Sequence, residues 1–162
     1  MDVNVFIREI VVHDASEPGG DAGEYDVAFA AGIPGDSSSA RTSPRWTNRV
    51  RRAQTYEVLD WLGPVSVADG GTLVVSARGR EHDLLRDDAL LGGVAHLTAA
   101  QGLGVGKWWR TTNGKHFDFL FAVSRAEEGH AGRPVLSGRQ GEIADAPGPA
   151  QPAPDDYFPG TD

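Results

Sequence analysis

Alternating apolar and polar residues mark two early β-strands. Residues 3–12 alternate imperfectly but carry no helix cap and no helical period, which favours a strand. Residues 24–31 alternate most regularly, because Tyr25, Val27 and Phe29 would all project from one face of an extended chain. The residues between the two segments are rich in turn formers and carboxylates. The pattern predicts two strands joined by an acidic loop.

The next part of the chain mixes turn residues with further strand signals. Residues 32–44 are rich in Gly, Ser, Pro and Asp, which predicts a mobile surface loop. Residues 45–58 fit strands better than a helix. Residues 59–67 contain Pro64, which has no N–H and therefore predicts an edge strand or a strand start. Residues 68–71, Ala-Asp-Gly-Gly, predict a hairpin-type turn.

The middle of the chain consists of two apolar runs around a charged segment. Residues 72–75 and 90–97 are the apolar runs, and most residues of 78–88 between them are charged. This order predicts a strand, a loop of functional character and a return strand. Two hypotheses stay open for the loop: its carboxylates hold a cation, or it is the solvated tip of a hairpin.

The last part of the chain begins with strands and then changes composition. Residues 107–110 and 116–123 predict the last two strands. From residue 126 onwards Gly, Pro, Ala and charged residues dominate, and such a stretch buries too little apolar surface to offset its ordering entropy. We therefore predict a domain over residues 1–125 and an acidic tail over residues 126–162 that is disordered or docked on a partner.

About seven or eight short strands with almost no helix predict an all-β fold, an antiparallel β-sandwich. The length of 162 residues suits one such domain. No basic and apolar leader opens the sequence, and no run of about 18 apolar residues occurs. We therefore expect a cytoplasmic protein without a membrane span, with signal-independent export as the alternative. The absence of cysteine excludes disulfides, thiolate metal sites and cysteine nucleophiles.

The order of these features resembles the C2 family of calcium-dependent lipid-binding domains. The matching features are a first strand, an acidic loop and a second strand that opens with Glu-Tyr-Asp-Val at residues 24–27. They continue with an apolar strand, an acidic segment and a closing strand pair that carries Trp108 and Trp109. The resemblance spans residues 3–125 and implies a β-sandwich whose loops at one end bind Ca²⁺.

The sequence departs from the C2 pattern in the later acidic segment. Residues 77–79, Ala-Arg-Gly, stand where the family usually has two aspartates. Asp88 lies four residues before Gly92, one more than in the common pattern. Two arginines, Arg78 and Arg80, fall inside the segment that would hold the ion.

Seven carboxylates are the candidate calcium ligands. Ca²⁺ takes six to eight oxygen ligands, so a site needs several carboxylates that converge from loops. The candidates are Asp14, Asp21, Asp26, Glu81, Asp83, Asp87 and Asp88. The alternative is ordinary surface charge, in which neighbouring arginines pair with them for about 0–1 kcal/mol per exposed pair. No other cofactor is predicted, since the five histidines are scattered.

Aromatic and basic residues are the candidate partner contacts. In a strand over residues 107–110, Trp108 and Trp109 point to opposite faces, so one enters the core and the other is exposed or covered by a partner. Arginines near Trp46 form the one basic patch, whose alternative explanation is a basic solvent face of a strand pair. The candidates are Trp46, Arg49, Arg51, Arg52, Trp108, Trp109, Tyr157 and Phe158.

Net charge and missing motifs complete the functional prediction. A net charge of −8 and a pI of about 5.0 suit a soluble protein and disfavour nucleic acid as a partner. An acidic protein surface, including a second copy, fits the basic patch better, and peripheral lipid contact stays open. No serine-nucleophile or phosphate-loop motif is present. We predict a non-enzymatic binding or assembly module for a protein partner, with a calcium-responsive C2-like module as the alternative.

Overall fold

The computed structural model describes residues 1–13, 22–82, 87–128 and 142–149. The described residues contain ten strands and two short 3₁₀ helices. The strands are β1 (Asp2–Val12), β2 (Ala22–Ile33), β3 (Asp36–Thr42), β4 (Trp46–Arg51), β5 (Thr55–Ser66), β6 (Thr72–His82), β7 (Asp87–Thr98), β8 (Trp108–Arg110), β9 (Phe117–Arg125) and β10 (Ile143–Asp145). The 3₁₀ helices are Ala99–Gly104 and Ala126–Glu128. The all-β prediction is confirmed, with more strands than expected.

The strands form two layers, each built mainly from antiparallel pairs. The first layer has the order β5-β1-β9-β8, and β10 adds to β8 in parallel. In the second layer β3 and β4 both pair with β2, which is followed by β6 and β7. The layers join where β7 runs beside β9 at Gly92 and Phe117. The result is one sheet that is nearly closed and barrel-like.

Aromatic side chains fill the space between the layers. Tyr25, Phe29 and Phe119 are fully buried, as the alternation within their strands predicts. Phe29 and Phe119 meet edge to face across the layers, with ring centroids 5.4 Å apart. At the join between the layers, a Cβ atom on Gly92 would lie 2.5 Å from the Phe117 ring. Glycine at this position therefore permits the close approach of β7 to β9.

Side chains rather than a strand ladder connect β4 to β5. The indole N–H of Trp46 donates to the carbonyl oxygen of Glu57 at 3.1 Å. The backbone N–H of Arg51 donates to the Tyr56 hydroxyl at 2.6 Å. The Trp46 and Tyr56 rings pack with centroids 6.0 Å apart. Trp46, predicted as a partner contact, thus lies in an intramolecular seam.

Three residues outside the strands hydrogen-bond to backbone groups of β7 along the edge that faces away from β6. His116 donates its backbone N–H to the Leu91 carbonyl at 3.0 Å, and its ring Nδ1 accepts the Leu91 N–H at 2.9 Å. The Asn113 side chain bonds to Val94, and the Pro147 carbonyl accepts the His96 N–H at 2.7 Å. Such cover protects a strand edge from pairing with another chain.

The predicted loop over residues 32–44 is wrong, because it contains β3. Pro34 and Gly35 form a tight turn after β2, and Gly35 has a φ of 75°. The hydroxyl of Ser39 then accepts the Ile33 N–H at 2.8 Å and donates to the Asp36 carbonyl at 2.7 Å. The polar composition that suggested a loop belongs to a short, largely exposed strand.

The charged loop predicted over residues 78–88 is also wrong for most of its length. β6 continues to His82 and β7 begins at Asp87. Along β6, Arg78 and Arg80 pair with β2 on one side and with β7 on the other. Pairing on both edges extends a strand regardless of the charge on its outward side chains.

The predicted tail contains a strand that belongs to the domain. Residues 142–149 are described, and β10 pairs with β8 at Trp108, Trp109 and Arg110. Ala146 is 7% exposed and joins the core. Within the described ranges, no helix has the length and apolar character needed to cross a membrane.

Candidate functional site

A row of apolar side chains crosses the outer face of the first layer. Residues directly opposite each other in neighbouring strands share a face of the sheet. Trp61 is opposite Phe6, Phe6 is opposite Ala122, Ala122 is opposite Trp108, and Trp108 is opposite Ile143. These five residues, which we call the aromatic row, span β5, β1, β9, β8 and β10, or about 19 Å at the usual strand spacing.

The aromatic row lies on the face opposite the core. Its central residues Phe6 and Ala122 are absent from the core cluster, whereas their chain neighbours Val5, Ile7 and Val123 belong to it. Phe6 is only 6% exposed, because the indole of Trp61 lies over one side of its ring with centroids 4.9 Å apart.

Trp108 flanks Phe6 on the other side and brings a cation with it. The two rings meet edge to face with centroids 6.2 Å apart. Arg8, which is exposed, places its guanidinium carbon 5.3 Å from the centroid of Trp108, a cation–π contact. Both indoles of the row remain partly exposed, and Ile143 at its end is 38% exposed. The row therefore presents apolar surface next to a positive charge.

Leu59 adds a strained and exposed residue beside the row. It lies two positions before Trp61 in β5, is 54% exposed and has a φ of 58°. The pairing register between β1 and β5 shifts at this point. A left-handed conformation costs a non-glycine residue roughly 1–2 kcal/mol. Strain of this kind tends to collect at functional positions.

Trp108 and Trp109 point to opposite faces, as strand alternation predicts. Trp109 is 8% exposed, joins the core and donates its indole N–H to the Gly104 carbonyl at 2.8 Å.

Sequence reasoning missed Phe6 and Trp61, because strand register is decided between distant segments. A signal was present in the consecutive apolar residues Val5, Phe6 and Ile7, which give β1 two apolar faces.

The arginine patch lies in the other layer, away from the aromatic row. Arg49 is exposed on β4 and is paired in register with Glu24 of β2. Arg51 and Arg52 are exposed at the end of β4. The structure does not bring these arginines together with Trp108. Tyr157 and Phe158 lie outside the described residues.

The predicted calcium ligands are only partly brought together. Asp14, Asp21 and Asp83 lie outside the described residues, and only the backbone of Asp87 is described. The first carboxylate with a described environment is Asp26, whose Oδ2 lies 3.2 Å from Arg45 Nη1 and 3.4 Å from His82 Nε2. Its charge is thus met by neighbouring groups on the outer face of the second layer.

Asp26 and Glu81 lie on opposite faces of the same layer. Asp26 is opposite Arg80, whereas Glu81 is opposite the fully buried Tyr25. One ion cannot bind both carboxylates. Glu81 is instead paired in register with Asp88 of β7, so these two share the inner face. Among the described residues, no group of three His, Asp or Glu side chains has the arrangement of a metal site.

A His–Asp pair that sequence reasoning missed links His13, the residue after β1, to Asp118 of β9. His13 Nε2 lies 2.6 Å from Asp118 Oδ2, and Asp118 is only 5% exposed. The other carboxylate oxygen accepts the Thr111 hydroxyl at 2.7 Å and the Gly114 N–H at 2.9 Å. Thr111 Oγ1 also accepts the Phe119 N–H at 3.1 Å. Its hydroxyl is thus engaged by Asp118 rather than aligned on His13, which indicates a structural role for the cluster.

Burial shifts the pKa of two groups near these surfaces. Desolvation raises the pKa of Asp60, the residue before Trp61. Desolvation lowers the pKa of His96, whose backbone bonds to Pro147.

No protein-family model matches the chain, and no curated protein sequence matches it. Function is therefore inferred from the geometry of its own side chains.

Proposed function

We propose that this protein is a non-enzymatic binding module that holds a protein partner against the aromatic row. The observation that carries the proposal is the register of five strands, which lines up Trp61, Phe6, Ala122, Trp108 and Ile143 on the face opposite the core. An antiparallel layer usually turns a polar face outward. Tryptophan and arginine, the residues exposed here, are enriched at the energetic centres of protein interfaces.

The chemistry of the row defines the partner. The two indoles flank Phe6 and offer an apolar surface for an aromatic or aliphatic side chain. Arg8, stacked on Trp108, offers a charge for a carboxylate beside it. The favoured occupant is therefore a protein segment in which acidic residues adjoin an aromatic one. A face about 19 Å long suits a small, transient interface rather than an obligate one.

A peptide titration tests this chemistry. The probe is a synthetic acidic–aromatic peptide with the sequence of residues 153–160, Ala-Pro-Asp-Asp-Tyr-Phe-Pro-Gly. It is added to the full chain, and binding is followed by tryptophan fluorescence and calorimetry. We expect saturable binding that Trp108→Ala abolishes and Arg8→Gln weakens. The matched control is Trp46→Phe, an aromatic change in the other layer, which should leave binding intact. Equal binding by all three variants, or no binding by the parent chain, would count against the proposal.

The calcium-responsive function is the second candidate. It is favoured by the register of Glu81 and Asp88, which puts two carboxylates opposite each other on the inner face. Its test is thermal unfolding with calcium and with a chelator at matched ionic strength. A ligand that binds the folded state alone adds about 2.7 kcal/mol at a hundredfold excess over Kd. Stabilisation that Asp88→Asn removes would support calcium binding, and no shift would count against it.

A further inference from the structure

The gap between β8 and β7 is filled by a segment from the far end of the sequence. We infer that this gap is a strand-binding groove and that residues 143–148 of a second copy of the chain bind there in exchange for the chain's own segment. The product is a strand-exchanged dimer. The segment carries Ile143, the last residue of the aromatic row, but the inference rests on the backbone bonds of residues 143–148 and stands independently of the proposed function.

Main-chain hydrogen bonds define the groove on both sides. β10 pairs in parallel with β8, and the N–H of Ala146 donates to the Arg110 carbonyl at 2.8 Å. On the opposite side, the N–H of His96 in β7 donates to the Pro147 carbonyl at 2.7 Å. A short extended segment held by backbone bonds to existing strands is the geometry of β-strand addition.

Small residues in the segment provide its specificity. Ala144 faces inward opposite Trp109, and Ala146 is 7% exposed within the core. A Cβ atom on Gly148 would lie 2.6 Å from Asn113 Nδ2 and would disturb the amide that covers Val94. Pro147 fits because its carbonyl is used and no N–H is required of it. The groove therefore selects an extended Ala-x-Ala-Pro-Gly sequence.

The segment follows the 3₁₀ helix Ala126–Glu128 in the sequence, with the thirteen residues 129–141 between them. Its contribution to the core is two inward alanines, so its release from the groove exposes little apolar side-chain surface. The same contacts form within one chain or between two, so protein concentration decides the balance.

Cysteine cross-linking tests the exchange directly. The chain contains no cysteine, and Arg110 and Asp145 are exposed and paired in register. The double variant Arg110→Cys/Asp145→Cys therefore places two thiols at a spacing that suits a disulfide. We expect monomers with an internal disulfide after oxidation at micromolar concentration. When the reduced double variant is instead incubated at millimolar concentration first and oxidised afterwards, we expect covalent dimers.

Controls separate exchange from other association. Each single cysteine variant should give few covalent dimers under the same conditions. Adding Ala146→Asp should prevent cross-linking, because it puts a charge into the core, whereas adding Trp61→Ala should leave the dimers unchanged. Monomers at every concentration, or no disulfide at all, would overturn the inference. Loss of peptide binding to the aromatic row with unchanged exchange would bear on the proposed function alone.

A peptide measurement provides a second readout. The full chain with Ala146→Asp has its own segment expelled, so a labelled peptide of residues 142–149 should bind it saturably. The same peptide with aspartate in place of Ala146 should not bind. Retained circular dichroism of the β-sheet shows that the variant is folded. Absence of binding to the folded variant would overturn the inference.

Discussion

The side-chain amide of Asn113 pairs with the backbone of Val94 as a neighbouring strand would. Its Oδ1 accepts the Val94 N–H at 2.8 Å, and its Nδ2 donates to the Val94 carbonyl at 3.0 Å. One side chain thus satisfies both main-chain groups of a residue on the open edge of β7. Together with His116 and Pro147, it keeps that edge from pairing with another chain.

Removing this amide should loosen the edge of β7. We expect Asn113→Ala to lower the free energy of unfolding by about 1 kcal/mol, because both bonds are accessible to water that can replace them. Urea unfolding measures the change. Asn113→Asp, which keeps the acceptor but loses the donor, should lie between the parent and Asn113→Ala. An unchanged midpoint for Asn113→Ala would show that water replaces the amide without loss.

Adding a methyl group at Gly93 should disrupt the Asp118 cluster. A Cβ atom there would lie 2.0 Å from Thr111 Oγ1 and 2.5 Å from Asp118 Oδ1. We expect Gly93→Ala to destabilise the fold by about 1–3 kcal/mol through overpacking, as measured by urea unfolding. Because the hydroxyl of Thr111 would make the closest of these contacts, the loss should be smaller in a Thr111→Ala background, which removes that hydroxyl. A fully additive double variant would contradict this cause.

Relieving the strain at Leu59 should stabilise the fold while weakening partner binding. Glycine adopts a positive φ without the steric cost that leucine incurs, so we expect Leu59→Gly to gain up to about 1 kcal/mol. Chemical denaturation measures the gain. The acidic–aromatic peptide should bind this variant less tightly, since Leu59 lies beside the aromatic row. A less stable Leu59→Gly would mean that the exposed side chain contributes packing that outweighs the strain.

The raised pKa of Asp60 makes stability depend on pH in the acidic range. Because burial raises the folded pKa above the unfolded value near 3.8, ionisation of Asp60 opposes folding. Its penalty is absent below the unfolded pKa and grows as pH rises through the folded pKa. Asp60→Asn should therefore unfold at a higher temperature than the parent at pH 7. The difference should shrink towards pH 3.5, and a difference that does not depend on pH would contradict this assignment.

The lowered pKa of His96 acts in the opposite direction. Burial favours the neutral imidazole of His96 in the folded state. As pH falls below 6.5, the ordinary pKa of histidine, protons therefore bind preferentially to the unfolded chain. We expect stability to decline between pH 7.5 and the folded pKa. In His96→Asn this part of the decline should be absent. Calorimetric unfolding at a series of pH values measures it, with the parent at pH 7.5 as the reference.

The sequence alone was sufficient for the fold class and most strands. Period-2 alternation predicted β2 from Tyr25, Val27 and Phe29, and it assigned Trp108 and Trp109 to opposite faces, because side-chain direction in a strand is a local property. Pro64 predicted an edge strand, and among the described strands β5 pairs with β1 alone. Local signals failed where composition was polar, as in β3 and in the charged half of β6.

Only the tertiary structure decided which residues meet. The aromatic row joins Phe6 to Trp61 and to Trp108, and β10 reaches Trp109 from far along the chain, through strand registers that no local pattern encodes. Register also separated Asp26 from Glu81, two predicted ligands, by placing them on opposite faces. A shift of one residue in pairing exchanges the two faces of a strand. Alternation therefore determined that each strand has two faces, whereas the contacts between distant strands determined what those faces hold.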